Sequence, residues 1–247
     1  MIKQAKSAQE FLRAIGDKPY FRTVMGTSYA LYHQHPAQTS FYCIDKSAAM
    51  CVTGHAAILC GEVKHPAEVC AFLHFCGIEC VKTDGFVPEG FSARGIALMQ
   101  YHPPLAPCPA ALPAAPAFCV SAPDLRAVAQ LISLASGAVC SDDFYSDACM
   151  RTARGLADIV AVQAHGTLLA TAGVYSLTEK EAYIAAVATH PAYRGNGYAS
   201  ALVGLLAQKY ASRRVILVCE IALCAFYARL GFQEEQRLLE CVCLHEL

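Results

Sequence analysis

From position 103 to position 117 the chain reads Pro-Pro-Leu-Ala-Pro-Cys-Pro-Ala-Ala-Leu-Pro-Ala-Ala-Pro-Ala. Proline has no amide hydrogen to donate and fixes φ, so this run can form neither a helix nor a central strand. It reads as an extended linker of polyproline type. The chain therefore divides into a domain at 1–102, a linker at 103–117 and a second domain at 118–247. A length of 247 residues suits that division, since one domain takes ~150 residues.

Composition narrows the class. Hydrophobic residues make up 55% and charged residues 16%, against ~25% charged in an ordinary globular chain, which excludes a disordered protein. Nineteen basic and twenty acidic side chains give a net charge of −1. No field of one sign is present to hold nucleic acid or an anionic membrane, so neither is expected as a partner. No apolar run reaches the ~18 residues of a membrane-spanning helix; the richest, Val215 to Tyr227, is broken by Glu220. The first ten residues lack the apolar stretch of a secretory signal, and the expected location is the cytoplasm. The 14 cysteines sit mostly inside apolar runs, where a free thiol packs as a small hydrophobe. No Cys-x-x-Cys pair occurs, so neither a disulfide framework nor a metal site is expected.

The fold class is expected to be α/β (α+β mixed). In the first domain, Ser7 to Ile15 and Pro66 to Cys76 have helical spacing, and short apolar runs at 41–44, 49–53, 56–60 and 95–101 read as strands. In the second, strands are expected at 118–121, 159–164, 168–175, 182–189, 215–219 and 238–244, with helices at 123–136, 197–210 and 223–229. The order argues a mixed sheet with helices on its faces. The cluster Cys140-Ser-Asp-Asp-Phe-Tyr-Ser-Asp147 reads as a solvated loop. Glu68 to Ile78 echoes Ala222 to Phe232, both containing Cys-Ala-Phe-x4-Gly. Duplication and chance are equally good accounts of that echo.

The chemically informative segment is Val187-Ala-Thr-His-Pro-Ala-Tyr-Arg-Gly-Asn-Gly-Tyr-Ala199. A strand passes through a short loop and a glycine-rich turn into a helix. Unpaired amides at a helix start and the positive end of its dipole attract anions. Gly195 and Gly197 permit positive φ and close approach of a ligand to the backbone, and Arg194 adds a charge. Together these suit a pyrophosphate. A P-loop would need Lys-Ser/Thr after the last glycine, and Tyr198-Ala199 stands there. A dinucleotide fingerprint would need a third glycine where Ser200 stands, although Glu220 lies near the expected distance for its acid. A glycine-punctuated helix start without a ligand is the plain alternative.

Arg194-Gly-Asn-Gly-Tyr-Ala199 resembles the Arg/Gln-x-x-Gly-x-Gly/Ala signature of the GNAT superfamily of acyl-CoA-dependent N-acyltransferases. Tyr227-Ala-Arg-Leu-Gly231-Phe232 resembles that family's Tyr-x3-Gly-Phe ending. The resemblance covers 118–247; the first domain, which lacks the signature, looks like a degenerate half-copy or an accessory domain. It implies a GNAT-like mixed sheet whose strand 182–189 splays from strand 215–219. It implies that acetyl-CoA is the acyl donor, its pyrophosphate held by Arg194, Gly195, Asn196, Gly197, Tyr198 and Ala199, and its pantetheine by Val187, Ala188 and Thr189. Tyr227 matches the tyrosine that protonates the leaving thiolate. Glu220 is the candidate base, or the ligand of a cationic amine, since Tyr183 stands where many members carry Glu. The expected activity is acetyl transfer to the primary amine of a small molecule by direct attack. A non-catalytic acyl-CoA sensor on the same fold is the alternative. Homodimerisation is left open.

Overall fold

The computed structural model describes residues 1–103, 118–137 and 141–244; the expected linker lies, but for Pro103, outside them. The chain folds into two compact units. The first comprises Met1–Leu98, Cys219–Ala222 and Glu234–Leu247; the second comprises Met99–Val218 and Leu223–Gln233.

The first unit runs β1 (Ile2–Gln4), α1 (Ala8–Ile15), α2 (Pro19–Tyr32), β2 (Thr39–Ile44), β3 (Ala48–Thr53), β4 (Ala56–Gly61), α3 (Pro66–Phe75) and β5 (Cys80–Thr83), and β6 (Phe91–Tyr101) begins there. β1, β2, β3 and β4 pair antiparallel in turn, and β4 pairs parallel with β5. Successive strand residues face opposite sides. Phe41 packs on Phe11 of α1 at 5.3 Å, and Tyr42 on Phe72 of α3 at 5.0 Å, so α1 and α3 cover opposite faces of the sheet. Ser7 caps α1 by accepting the Glu10 amide at 3.2 Å. Val69 and Leu73 of α3 bury against Met50, Leu59 and Val81, each side chain contributing about 1.5–3 kcal/mol of burial.

The second unit runs β7 (Phe118–Ser121), α4 (Leu125–Ser136), α5 (Ser141–Ala153), β8 (Asp158–Ala164), β9 (Thr167–Leu177), β10 (Glu181–Thr189), α6 (Tyr198–Lys209), β11 (Arg214–Glu220) and α7 (Cys224–Ala228), and β12 (Phe232–Cys243) begins there. β7, β8, β9 and β10 pair antiparallel in turn, and β10 pairs parallel with β11. Ile159 packs with Val128 of α4 and Ala148 of α5. Its neighbour Asp158 accepts hydrogen bonds from Lys209 and Tyr210 at the end of α6. The helices therefore lie on both faces here as well.

The order β-α-α-β-β-β-α-β, with the same three antiparallel pairings and one parallel pairing, occurs twice. The duplication is one of topology. The sequence echo does not follow it, because it matches α3 to α7, whereas α3 corresponds in order to α6. The last strand was expected within 118–247. Its residues Leu239 to Val242 pair antiparallel with Thr83 to Cys80 of β5, so the C-terminal end of the chain completes the first unit's sheet.

Two elements differ from expectation. The acidic cluster read as a loop forms most of α5, with Asp142 and Asp143 in its first turn, where the helix dipole favours acids. Pro19–Tyr32 is a helix that no periodicity announced, since it buries Tyr20, Phe21, Thr23, Met25, Ser28 and Tyr32 around much of its circumference. Among the described residues no helix is long and apolar enough to cross a membrane.

Candidate active site

The site is built on β10. Its parallel pairing with β11 runs from Glu181↔Arg214 to Ile184↔Leu217 and stops. Its antiparallel pairing with β9 continues to Thr189↔Ala170. In between, the register shifts between Ala185 and Ala188, and Ala186 has φ +51°. A non-glycine residue in the left-handed region costs ~1–3 kcal/mol and persists only where surrounding packing enforces it. The extra residue bends the strand. Val187, Ala188 and Thr189 remain half-buried; Ala188 and Thr189 are paired with β9, and all three lie past the end of the β11 ladder.

Beyond β10 the chain makes one 3₁₀ turn, Pro191–Tyr193. His190 caps it, its Nδ1 accepting the Ala192 amide at 3.2 Å, and its ring packs edge-on against Tyr193 at 5.3 Å. His190 is thus a loop-shaping residue. The exposed turn Arg194–Gly197 follows. Gly195 and Gly197 have φ +81° and +77°, and Gly197 is the N-cap of α6, which receives no side-chain cap. A Cβ at either glycine would meet nothing within 4 Å. Glycine is required here for its backbone angle, and the space beside it is open. Asn196 Nδ2 donates to the carbonyls of Tyr193 at 3.0 Å and Arg194 at 3.4 Å, fixing the turn from within. Arg194 donates through Nη2 to the Ala135 carbonyl at 3.0 Å, in the last turn of α4. Bend, open edge, glycine turn and uncapped helix start thus follow one another in the second unit, and the amides of Tyr198 and Ala199 lie in that helix's first turn.

Tyr227 belongs to the same unit. It is 6% exposed on α7, with its ring edge-on to Phe226 at 4.9 Å and to Phe232 at 6.0 Å. Glu220 falls in the first unit. Its carboxylate accepts from Arg94 Nη1 at 3.0 Å, and Arg94 Nε donates to Glu240 at 2.7 Å. Glu220 is more than half exposed, so this pair contributes little to stability.

On the α4–α5 side of the unit lies a group that the sequence did not announce. Arg151 is 7% exposed; its Nε donates to Asp147 at 2.7 Å, and its Nη1 to the Tyr175 carbonyl at 2.8 Å and Ser176 Oγ at 3.3 Å. A register shift falls here too, between Tyr183↔Ser176 and Ile184↔Val174, leaving Tyr175 as the unpaired residue of β9. Arg151 takes up the carbonyl that this irregularity frees. The Tyr175 ring needs Gly173, where a Cβ would come within 2.7 Å of it. Burial, helped by the charge of Asp147, pushes the Tyr175 hydroxyl far above the ordinary phenol range. The signal for Arg151 was its i,i+4 spacing from Asp147, visible only once α5 is read as a helix. Of the three acids in that cluster, Asp142 pairs with Arg126 at 3.6 Å and Asp147 with Arg151. Among the described residues Asp143 has no ion-pair partner.

Residues 126–232 match the model of the Acetyltransferase (GNAT) family. No protein of curated function matches the sequence. Solved structures resemble nearly the whole chain at low identity, and so bear on the fold. A GCN5-related N-acetyltransferase-like protein from Streptococcus suis 89/1591 superposes with a TM-score of 0.66 at 13% identity, covering 98% of this chain and 100% of that one. A putative acetyltransferase from the GNAT family of Novosphingobium aromaticivorans gives 0.61 at 15% identity, covering 91% and 97%. A tandem GNAT protein from the clavulanic acid biosynthesis pathway gives 0.62 at 14% identity, covering 100% and 99%. The repeated element order has its counterpart in that tandem architecture. The segment 126–232, which holds the bent strand, the glycine turn and Tyr227, is an acetyltransferase domain of the GNAT family, whose acyl donor is acetyl-CoA.

Proposed function

We propose that the protein transfers the acetyl group of acetyl-CoA to the primary amine of a small molecule by direct attack, in a ternary complex. The observation that carries this reading is the continuity of the Ala186 bend with the uncapped, glycine-started helix α6. Amides of Gly195 to Ala199 would receive the pyrophosphate, beside the positive end of the α6 dipole. The free edge of Val187, Ala188 and Thr189 would pair with the pantetheine amides as a further strand does. A backbone N–H on that edge would stabilise the oxyanion formed on attack. Tyr227 would protonate the departing thiolate: a phenol of pKa ~10 beside a thiol of ~8.5 can do so at close range. Glu220 is proposed to draw in the amine as its cation.

The donor site is proposed for the second unit alone. At the corresponding place in the first unit, β4 pairs with β3 without a break from Ala56 to Gly61. The Gly61 amide is taken by Asp84 Oδ1 at 3.1 Å. α3 begins with Pro66, which has no amide to offer. We propose the cytoplasm as the location; eleven of the cysteines, Cys43 to Cys243, are free thiols.

The test is acetyl-CoA consumption, read as thiol release, against a panel of primary amines, with acetyl-CoA titrated calorimetrically alongside. Saturable acetyl-CoA binding with amine-dependent thiol release supports the proposal. Binding without turnover on any amine favours an acyl-CoA sensor. No binding removes the donor site.

A further inference from the structure

Two irregularities sit side by side in the sheet of the second unit. On β9, Tyr175 has no partner between the pairs Tyr183↔Ser176 and Ile184↔Val174. On β10, Ala186 and Val187 stand opposite the single residue Ala172, between the pairs Ala185↔Gly173 and Ala188↔Thr171. The second irregularity is the bend beside the edge assigned above to pantetheine.

The Tyr175 side chain joins the two. An extra residue in a strand re-aims its side chain, and this ring lies back over Gly173. A Cβ at Gly173 would stand 2.7 Å from its Cε2 and 3.2 Å from its Cζ. Gly173 has no positive φ, so glycine is needed here for space and not for angle. Ala185 is the register partner of Gly173, and paired residues project to one face about 4.5–5.5 Å apart. The ring therefore stands beside Ala185, on the face turned to α4 and α5. Ala185 and Ala186 both pack against the cluster of Val128, Ala148, Ile159 and Tyr175, in which Tyr175 is the largest side chain. Helix α5 fixes it from behind: Arg151 Nη1 donates to its carbonyl at 2.8 Å, and the Phe144 ring lies 5.5 Å from its own.

Tyr175 is 6% exposed, and its hydroxyl is buried with no hydrogen-bond partner among the described residues. Phenylalanine would fill the same space without stranding a hydroxyl, so what the side chain supplies here is bulk. The ring stands over β9, whereas the free edge is on the far side of β10. Tyr175 thus acts through the strand and not on a ligand. A left-handed alanine such as Ala186 persists only under the packing around it, and the Tyr175 ring provides that packing on the α4–α5 face.

We propose that Tyr175 is a positioning residue for acetyl-CoA: its ring, seated over Gly173 and clamped by α5, holds the bend of β10 that frees the edge at Val187, Ala188 and Thr189. This role rests on the donor site argued above.

The experiment joins hydrogen exchange to calorimetric titration with acetyl-CoA, both on the full chain well below its melting temperature. Tyr175→Leu removes the ring, Gly173→Ala pushes it off its seat, and Tyr175→Phe keeps both ring and seat. Val160→Ala, at a buried position of β8, is the control for lost stability alone. In Tyr175→Leu and in Gly173→Ala, amides of residues 185–189 should exchange about tenfold faster relative to those of 181–184, and acetyl-CoA should bind about tenfold more weakly. Either variant decides the matter if the other does not fold. Tyr175→Phe should match the parent in both readings and melt no lower. Val160→Ala should melt lower with both readings unchanged. The proposal is overturned if Val160→Ala weakens binding as much as Tyr175→Leu does, or if Tyr175→Phe loses binding, which would give the role to the hydroxyl. A parent that binds no acetyl-CoA removes the donor site and this role with it, whereas parental affinity and exchange in every variant removes the role of Tyr175 alone.

Discussion

Arg194 Nη2 lies 3.0 Å from the carbonyl oxygen of Ala135. The glycine turn at the start of α6 is thereby tied to the last turn of α4, where carbonyls carry the negative end of the helix dipole. The guanidinium is planar and its donors point in fixed directions, so one can hold Ala135 while others face outward. Arg194→Ala should weaken acetyl-CoA binding by about tenfold, the scale of one lost charge-assisted hydrogen bond. Calorimetric titration reads this directly. An unchanged dissociation constant would mean that Arg194 serves α4 and not the donor.

Gly197 is needed for its angle. Gly197→Val puts a β-branched residue at φ +77°, a cost of about 1–3 kcal/mol; Gly197→Asn, which tolerates that region, should cost far less. Acetyl-CoA affinity should fall in the order Gly, Asn, Val, and the melting temperature should follow. Equal affinities in the three proteins would show that the turn contributes nothing to binding.

Tyr227→Phe keeps the aromatic packing on Phe226 and Phe232 and removes the acid. Turnover should fall by about 10²-fold, the low end for a general acid, while acetyl-CoA affinity stays within twofold. Full activity in the variant would leave Tyr227 as a core aromatic.

Arg151→Met should destabilise the second unit. It strands the Tyr175 carbonyl at a cost on the order of 1–3 kcal/mol. The denaturation midpoint should drop with an unchanged slope. A drop below about 0.5 kcal/mol, the range of ordinary surface changes, would show that water takes over these contacts.

Alkaline stability should be set in part by buried thiols. Burial, then the charge of Asp84, pushes the Cys60 thiol up to about 12, and burial, then Glu10, pushes Cys43 up to about 11, from an ordinary value of 9.0. Between pH 9 and 12 the unfolded chain has lost protons that the folded chain keeps. Stability is therefore complete below pH 9 and falls as pH rises. Melting temperatures measured from pH 7 to 10.5 should decline above pH 9, and less steeply in Cys60→Ala. Identical slopes would show that this thiol does not titrate on unfolding.

What the sequence determined is local. The bounds of β10 and α6, the turn between them and the extent of α1 were legible because glycine, proline and local helical spacing act through a residue's own backbone and that of near neighbours. The tertiary structure decided the rest. Nothing in Ala-Ala-Val-Ala-Thr marks Ala186 as the bent residue; the bend exists because β9 and β11 hold β10 to different lengths. The pairing of the last strand with β5 and of Glu220 with Arg94 across 126 positions leaves no periodic trace. Helix α2 hid because residues buried around much of its circumference leave no polar stripe to set its period. Short-range chemistry is written in neighbouring residues, whereas a strand's partner and a pair such as Arg94 with Glu220 come from distant segments brought together by burial of the core.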